Sequence, residues 1–193
     1  TDNAVRMLDL SGPRLEPLLG HRDWVGAVDV ATVEVAGCSV DVVVSASDDG
    51  TVRMWHLETG EFIRTLPTGD LGSVRTMSVV PDGQPATLLL GSRNHHVSTF
   101  PLVLDGGARK VLVDDLGHAV QSVAAVRLDG AWVVLARDDS GALVARRLAD
   151  GGAFTAPPSG VGEVGVVATK GPGASVYVRS PRVAVASGEV VTV

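Results

Sequence analysis

One cysteine, Cys38, stands in 193 residues, which excludes an intrachain disulfide and any cysteine-rich zinc site and is compatible with a reducing compartment. Lysine is nearly missing: Lys110 and Lys170 stand alone while arginine is plentiful, a bias that suggests a GC-rich bacterial genome. No basic cluster occurs, and a net charge of -6 with a pI near 5.2 gives no attraction for a phosphate backbone, so nucleic acid is not an expected partner. Long apolar runs are absent too. VDVVV at 40–44 and TLLL at 87–90 fall far short of the roughly 20 residues a bilayer-spanning helix needs, so no membrane insertion is expected and the chain reads as soluble. TDNAVRMLDL at the start has neither the basic opening nor the apolar stretch of a signal peptide, and the expectation is a cytoplasmic piece of something longer.

Aromatic residues are only 4% of a chain that is 45% hydrophobic; Val, Ala and Leu supply the rest, punctuated by 23 glycines and 10 prolines. That is the vocabulary of strands and turns. Four segments superimpose on a strand ending in leucine: NAVRMLDL to Leu10, GTVRMWHL to Leu57, HVSTFPL to Leu102 and GALVARRL to Leu148, spaced by 47, 45 and 46 residues. Each is followed by a turn signal (SGPR, ETGE, DGGA, ADGG) and another short apolar run: LEPLL, FIRTL, RKVLV and, in the last, AFTAP. Two further strand-like runs precede each of the last three, so a period holds four short strands. A 45-residue period of four strands is the pattern of a propeller blade, and no helical periodicity competes with it.

The densest chemistry lies in SASDDGTVRMWHLETGE, residues 45–61, with LLGHRDW just upstream. A Ser, a His and an Asp together raise the possibility of a hydrolase in which Ser45 or Ser47 attacks, His21 is the base and Asp49 orients it. Such a site needs an exposed nucleophile beside an oxyanion hole, as on a GxSxG elbow. Here Ser47 ends a strand-like run and Asp49 belongs to an Asp-Gly turn.

Gly20-His21, Ser47 to Gly50 as Ser-x-Asp-Gly, and Trp55 at a strand end, with 33 residues between His21 and Trp55, make region 18–66 resemble a blade of the WD-repeat β-propeller family. His56 departs from the family's Trp-Asp pair. The resemblance implies an all-β propeller fold and a buried structural hydrogen-bond network, carried here by His21, Ser45 or Ser47, Asp49 and Trp55, with the indole N–H as one donor. The later blades match less well. Phe100, Asn94, Ser92 and Gly69-Asp70 stand in the second, and Arg146, Ser140 and Gly117-His118 in the third. With Phe100 in place of the indole, Ser92 and Asn94 are expected to satisfy themselves in the turn.

The whole of 1–193 is thus expected to be one propeller region: 1–19 as the outer two strands of a preceding blade, 20–66, 67–112 and 113–156 as blades, and 157–193 as a partial or short one. About four to four and a half blades would leave open edges, so another chain or chain segment is expected to complete the ring. Elsewhere, His95-His96, Asp114-Asp115 and Asp138-Asp139 read as turn and loop residues, and the glycine-rich stretches as turns. No metal and no cofactor are expected. Arg22, Asp23 and Trp24 have the makeup of a partner-binding surface. The expected function is a non-enzymatic protein-interaction scaffold, the C-terminal part of a larger bacterial signalling or regulatory protein. The alternative is a propeller lyase or hydrolase with its site at the central channel, which would need acids and histidines converging from several blades.

Overall fold

The computed structural model describes residues 3–6, 17–35, 37–80, 85–128 and 130–154. Among these the chain is all-β: eleven strands in three antiparallel sheets, and no helix is long and apolar enough to cross a membrane. The first sheet runs β1 (Val25–Val35), β2 (Cys38–Ser47), β3 (Val52–His56), β4 (Phe62–Leu66). The second runs β5 (Val74–Val80), β6 (Thr87–Ser92), β7 (Val97–Pro101), β8 (Lys110–Val113). The third holds β9 (Val120–Leu128), β10 (Ala131–Asp138) and β11 (Leu143–Arg147). In every sheet the strands lie side by side in chain order, the up-and-down order of propeller blades.

The sheets repeat in register, not only in outline. Val25 faces Ser47, Val74 faces Ser92 and Val120 faces Asp138, and each pair is followed by a bulge on the first strand. Gly26 sits in the first bulge because a Cβ there would come within 2.8 Å of the Arg75 carbonyl oxygen on the next sheet. The turn after the second strand also recurs, with Ser47, Ser92 and Asp138 donating their N–H to the carbonyls of Thr51, His96 and Ala142. Its third residue is left-handed each time, at Gly50, His95 and Gly141. The second sheet therefore imposes on His95 a backbone that glycine adopts freely.

Alternation along the strands puts apolar side chains on both faces, as expected for stacked sheets. Val42, Val44, Ala46, Val52 and Met54 meet Val74, Met77, Leu88, Leu90 and Phe100 between the first two sheets. Leu89 and Val97 meet Val123, Val134 and Ala136 between the second and third. Of the fourth strand expected over AFTAP, the described residues Ala153 and Phe154 show a bridge from Arg146 to Ala153 and a bond from Phe154 N–H to the Ala145 carbonyl. Of the strands expected before residue 20, the described residues show Val5 bridged to Leu18. The expectation for 157–193 lies outside the described residues.

Candidate functional site

His21 lies in the loop that enters β1, and the hairpin of β2 and β3 brings Ser45, Asp49 and Thr51 under it. Its Nε2 is 2.6 Å from Ser45 Oγ, and its Nδ1 is 3.1 Å from both Asp49 Oδ2 and Thr51 Oγ1. A carboxylate can only accept, so Nδ1 carries the proton and Nε2 accepts from the Ser45 hydroxyl. Asp49 also accepts from Arg22 N–H at 2.8 Å, Thr51 N–H at 2.8 Å and Thr51 O–H at 2.6 Å. Burial works to raise the Asp49 pKa, but the donors from Thr51, Arg22 and His21 outweigh it and hold it at about 2. Burial pushes His21 below its ordinary 6.5, against the hydrogen bond and charge of Asp49. The imidazole is thus kept neutral, as the Ser45 bond requires.

Ser47 does a separate job. Its hydroxyl donates to the Asp23 carbonyl and accepts Asp49 N–H, both at 3.1 Å. Trp55 is fully buried and meets His21 edge to face, with ring centroids 5.8 Å apart. This differs from the expected relay: among the described residues no hydrogen bond runs from the indole N–H to Ser45 or Ser47. The Ser45 hydroxyl has His21 Nε2 as its acceptor, and the indole is tied to the group by its ring alone.

The Arg22, Asp23 and Trp24 side chains are exposed while their backbone is pinned. Arg22 N–H donates to Asp49, Asp23 C=O accepts from Ser47, and Trp24 C=O accepts Asp48 N–H at 2.8 Å. Asp48, beside the group, links to the next sheet through Ser73 Oγ and, at 3.3 Å, Arg75. Sequence reasoning missed Thr51 and this link. Position 51, directly after Asp-Gly, was the only signal for the first; the second joins residues distant in the chain.

Gly117-His118 is not the counterpart of Gly20-His21. His21 precedes Val25 by four residues, but His118 precedes Val120 by only two. Its ring is accordingly turned out, 3.8 Å from Asp139. Leu116 holds the His21 position by register, and Asp70 holds it in the second sheet. Asp70 pairs outward with Arg109 at 2.8 Å. In that sheet Leu90 and Phe100 replace Ser45 and Trp55 by register, and both are buried with Leu71. Ser92 accepts His96 N–H at 3.3 Å within its turn, and the Asn94 amide reaches Asp70 C=O at 3.4 Å. His95 and His96 face Asp115 and Asp114 at 3.1 and 3.6 Å. Among the described residues no group of three or more His, Cys, Asp or Glu side chains is placed to hold a metal.

No family model matches the chain. A ribosome biogenesis protein BOP1 homolog of Aedes aegypti is 32% identical over 112 residues, 57% of this chain and 12% of that protein. A probable E3 ubiquitin ligase complex SCF subunit sconB of Aspergillus terreus is 45% identical over 64 residues, 33% of this chain and 8% of its own length. The chain thus spans about a tenth of the curated relatives it matches. Both relatives are eukaryotic and give the expected bacterial origin no support. The crystal structure of the computationally designed Ika8 protein superimposes with a TM-score of 0.57 at 19% identity, over 79% of this chain and 42% of that one. That likeness concerns the fold: the described residues form a run of consecutive β-propeller blades.

Proposed function

We propose that this chain is a WD-repeat-type segment of a larger propeller that acts as a non-enzymatic protein-interaction scaffold in a cytoplasmic regulatory assembly. The WD-repeat assignment draws support from the motif at 18–66 and the recurring register. The protein-partner reading draws support from the SCF subunit among its relatives.

The observation that carries the non-enzymatic reading is the burial of Ser45. Ser45, His21 and Asp49 have the distances of a hydrolytic triad, yet the hydroxyl is 0% exposed and sits within a sheet, where no acyl carbon can approach it. The group therefore locks the entry loop of β1 onto the turn after β2. Arg22, Asp23 and Trp24, displayed by that loop, form the partner surface. Cys38, free and exposed, suits the cytoplasmic setting.

Two measurements test this. A fluorophosphonate probe should leave Ser45 unlabelled in the native chain, and stoichiometric labelling at Ser45 would establish a hydrolase instead. Replacing Arg22, Asp23 and Trp24 together by Ala should abolish capture of the chain's partners with an unchanged melting curve; undiminished capture would move the interface elsewhere.

A further inference from the structure

We propose that residues 114–118, the connection from the second sheet to the third, form a strap that protons tighten: His95 and His96, on the turn after β6, clasp Asp115 and Asp114 and hold the loop more firmly as pH falls. This goes beyond the scaffold reading and uses neither Ser45 nor the Arg22–Trp24 loop.

The turn after the second strand takes a left-handed residue in every sheet. The first and third use Gly50 and Gly141, but the second uses His95, at φ 68°. A side chain costs the backbone something at a place where glycine moves freely, and here the side chain has a partner. His95 Nδ1 lies 3.1 Å from Asp115 Oδ1, and since a carboxylate can only accept, the imidazole donates. The same Asp115 oxygen takes the Gly117 N–H at 2.7 Å, and the Leu116 N–H reaches the His95 carbonyl at 3.1 Å. Turn and loop are joined by backbone and side chain together.

The matching junction between the first and second sheets is closed without a titrating group. There the Gly50 carbonyl, which corresponds to that of His95, accepts from the Thr68 hydroxyl at 2.9 Å, and Thr68 is buried. His96 sets the second junction further apart. Its Nδ1 is buried and has no hydrogen-bond partner among the described residues, and Asp114 Oδ1 lies 3.6 Å from it, just beyond bonding distance.

A neutral imidazole has one N–H and no charge. A protonated one has an N–H on each nitrogen and a full positive charge. Protonation therefore turns the His95 contact into a charge-assisted bond and gives the orphaned Nδ1 of His96 a proton to share with Asp114. Asp115 stays ionised through that change, because the Gly117 N–H and His95 hold its carboxyl below the ordinary 3.8. The strap is accordingly tightest between about pH 4 and pH 6, below the titration range of histidine and above that of the carboxylate. The other charged groups on the elements that meet here are paired or exposed: Asp70 pairs with Arg109 at 2.8 Å, His118 faces Asp139 at 3.8 Å, and Arg93 lies in water.

The experiment is hydrogen exchange on the full 193-residue chain at pH 7.5 and 5, corrected for the intrinsic pH dependence of each amide. Protection of the Leu116 N–H should rise about threefold to tenfold on acidification, the size expected of two partly exposed ion pairs. The Thr68 N–H, on the first connection, should show no rise. His95→Asn with His96→Gln leaves neither side chain to titrate, and asparagine accepts the left-handed backbone, so this variant should fold and lose the gain. Asp114→Asn with Asp115→Asn, which keeps an acceptor for Gly117 but removes both charges, should lose it too. A flat or falling profile at Leu116, a gain shared by Thr68, or a gain undiminished in either variant overturns the proposal. None of these results bears on partner capture by Arg22, Asp23 and Trp24, so a failure here is distinct from a failure of the scaffold reading.

Discussion

The first and second sheets fill one place in the fold by opposite means. Where Ser45, Trp55 and His21 meet in the first, Leu90, Phe100 and Leu71 are packed in the second. In the polar version each group depends on another: the hydroxyl needs the imidazole, and the imidazole needs the carboxylate. In the apolar version none does. A buried polar group without its partner costs about 1 to 3 kcal/mol, so a partial set is worse than either extreme. The second sheet has no indole, serine or histidine at these places; its Ser92 accepts within the turn as expected, whereas Asn94 does not stay in the turn and reaches the Asp70 carbonyl 24 residues away.

The largest effect that would test this contrast comes from removing the carboxylate. Asp49→Ala strips partners from His21, Thr51 and the Arg22 backbone at once, and should cost about 3 kcal/mol, or roughly 10 °C in Tm. Asn94→Ala, at the same register on an exposed turn, should stay within about 0.5 kcal/mol. Equal losses, measured by urea denaturation, would dissolve the distinction between the sheets.

A smaller effect sharpens it. Ser45→Ala leaves His21 Nε2 without its donor and should cost about 2 kcal/mol. Adding His21→Leu and Trp55→Phe, which makes the place wholly apolar as it is in the second sheet, should cost less than the sum of the single changes, with a coupling of about 1 to 2 kcal/mol. Strict additivity would mean that these residues act as independent packing groups.

Why some of this could be read in the sequence and some could not follows from range. The 45-residue period, the Asp-Gly turn and the Gly-His and Trp positions are local patterns, and they pointed to stacked four-stranded sheets and to His21, Ser45 and Asp49. Thr51 looks like any threonine entering a strand until the turn brings its hydroxyl to Asp49. His118 misled because a dipeptide does not reveal how many residues of loop precede the strand. The ring contact of Trp55 and the link from Asp48 to Arg75 depend on distances between sheets. The bulge shared by all three sheets leaves no common residue at its centre, since Gly26, Arg75 and Gln121 occupy it.

The smallest predicted effect is in pH dependence, and it belongs to the first sheet. Asp49 is held at about 2 against an ordinary 3.8, so its share of stability is complete above the ordinary value. That share, about 2 kcal/mol at most, is lost as pH falls from there toward 2. His21 is lowered from 6.5 by burial, with the nearby Arg53 charge adding to the shift and Asp49 opposing it. The unfolded chain takes up that proton first, so stability declines as pH drops below 6.5 and levels off once the folded imidazole also protonates. Both groups act in the same direction through separate windows. Asp115, Asp138 and Asp150, also below their ordinary value, lie around the third sheet, so location separates their contribution. Between pH 7.5 and 5, His21→Leu should flatten the stability profile. Hydrogen exchange should show β2 and β3 losing protection before β6 and β7, because Leu90 and Phe100 have nothing to titrate. A profile for His21→Leu parallel to the parent, or earlier loss in β6, would mean that acid acts outside the lock and that the two fillings are equivalent.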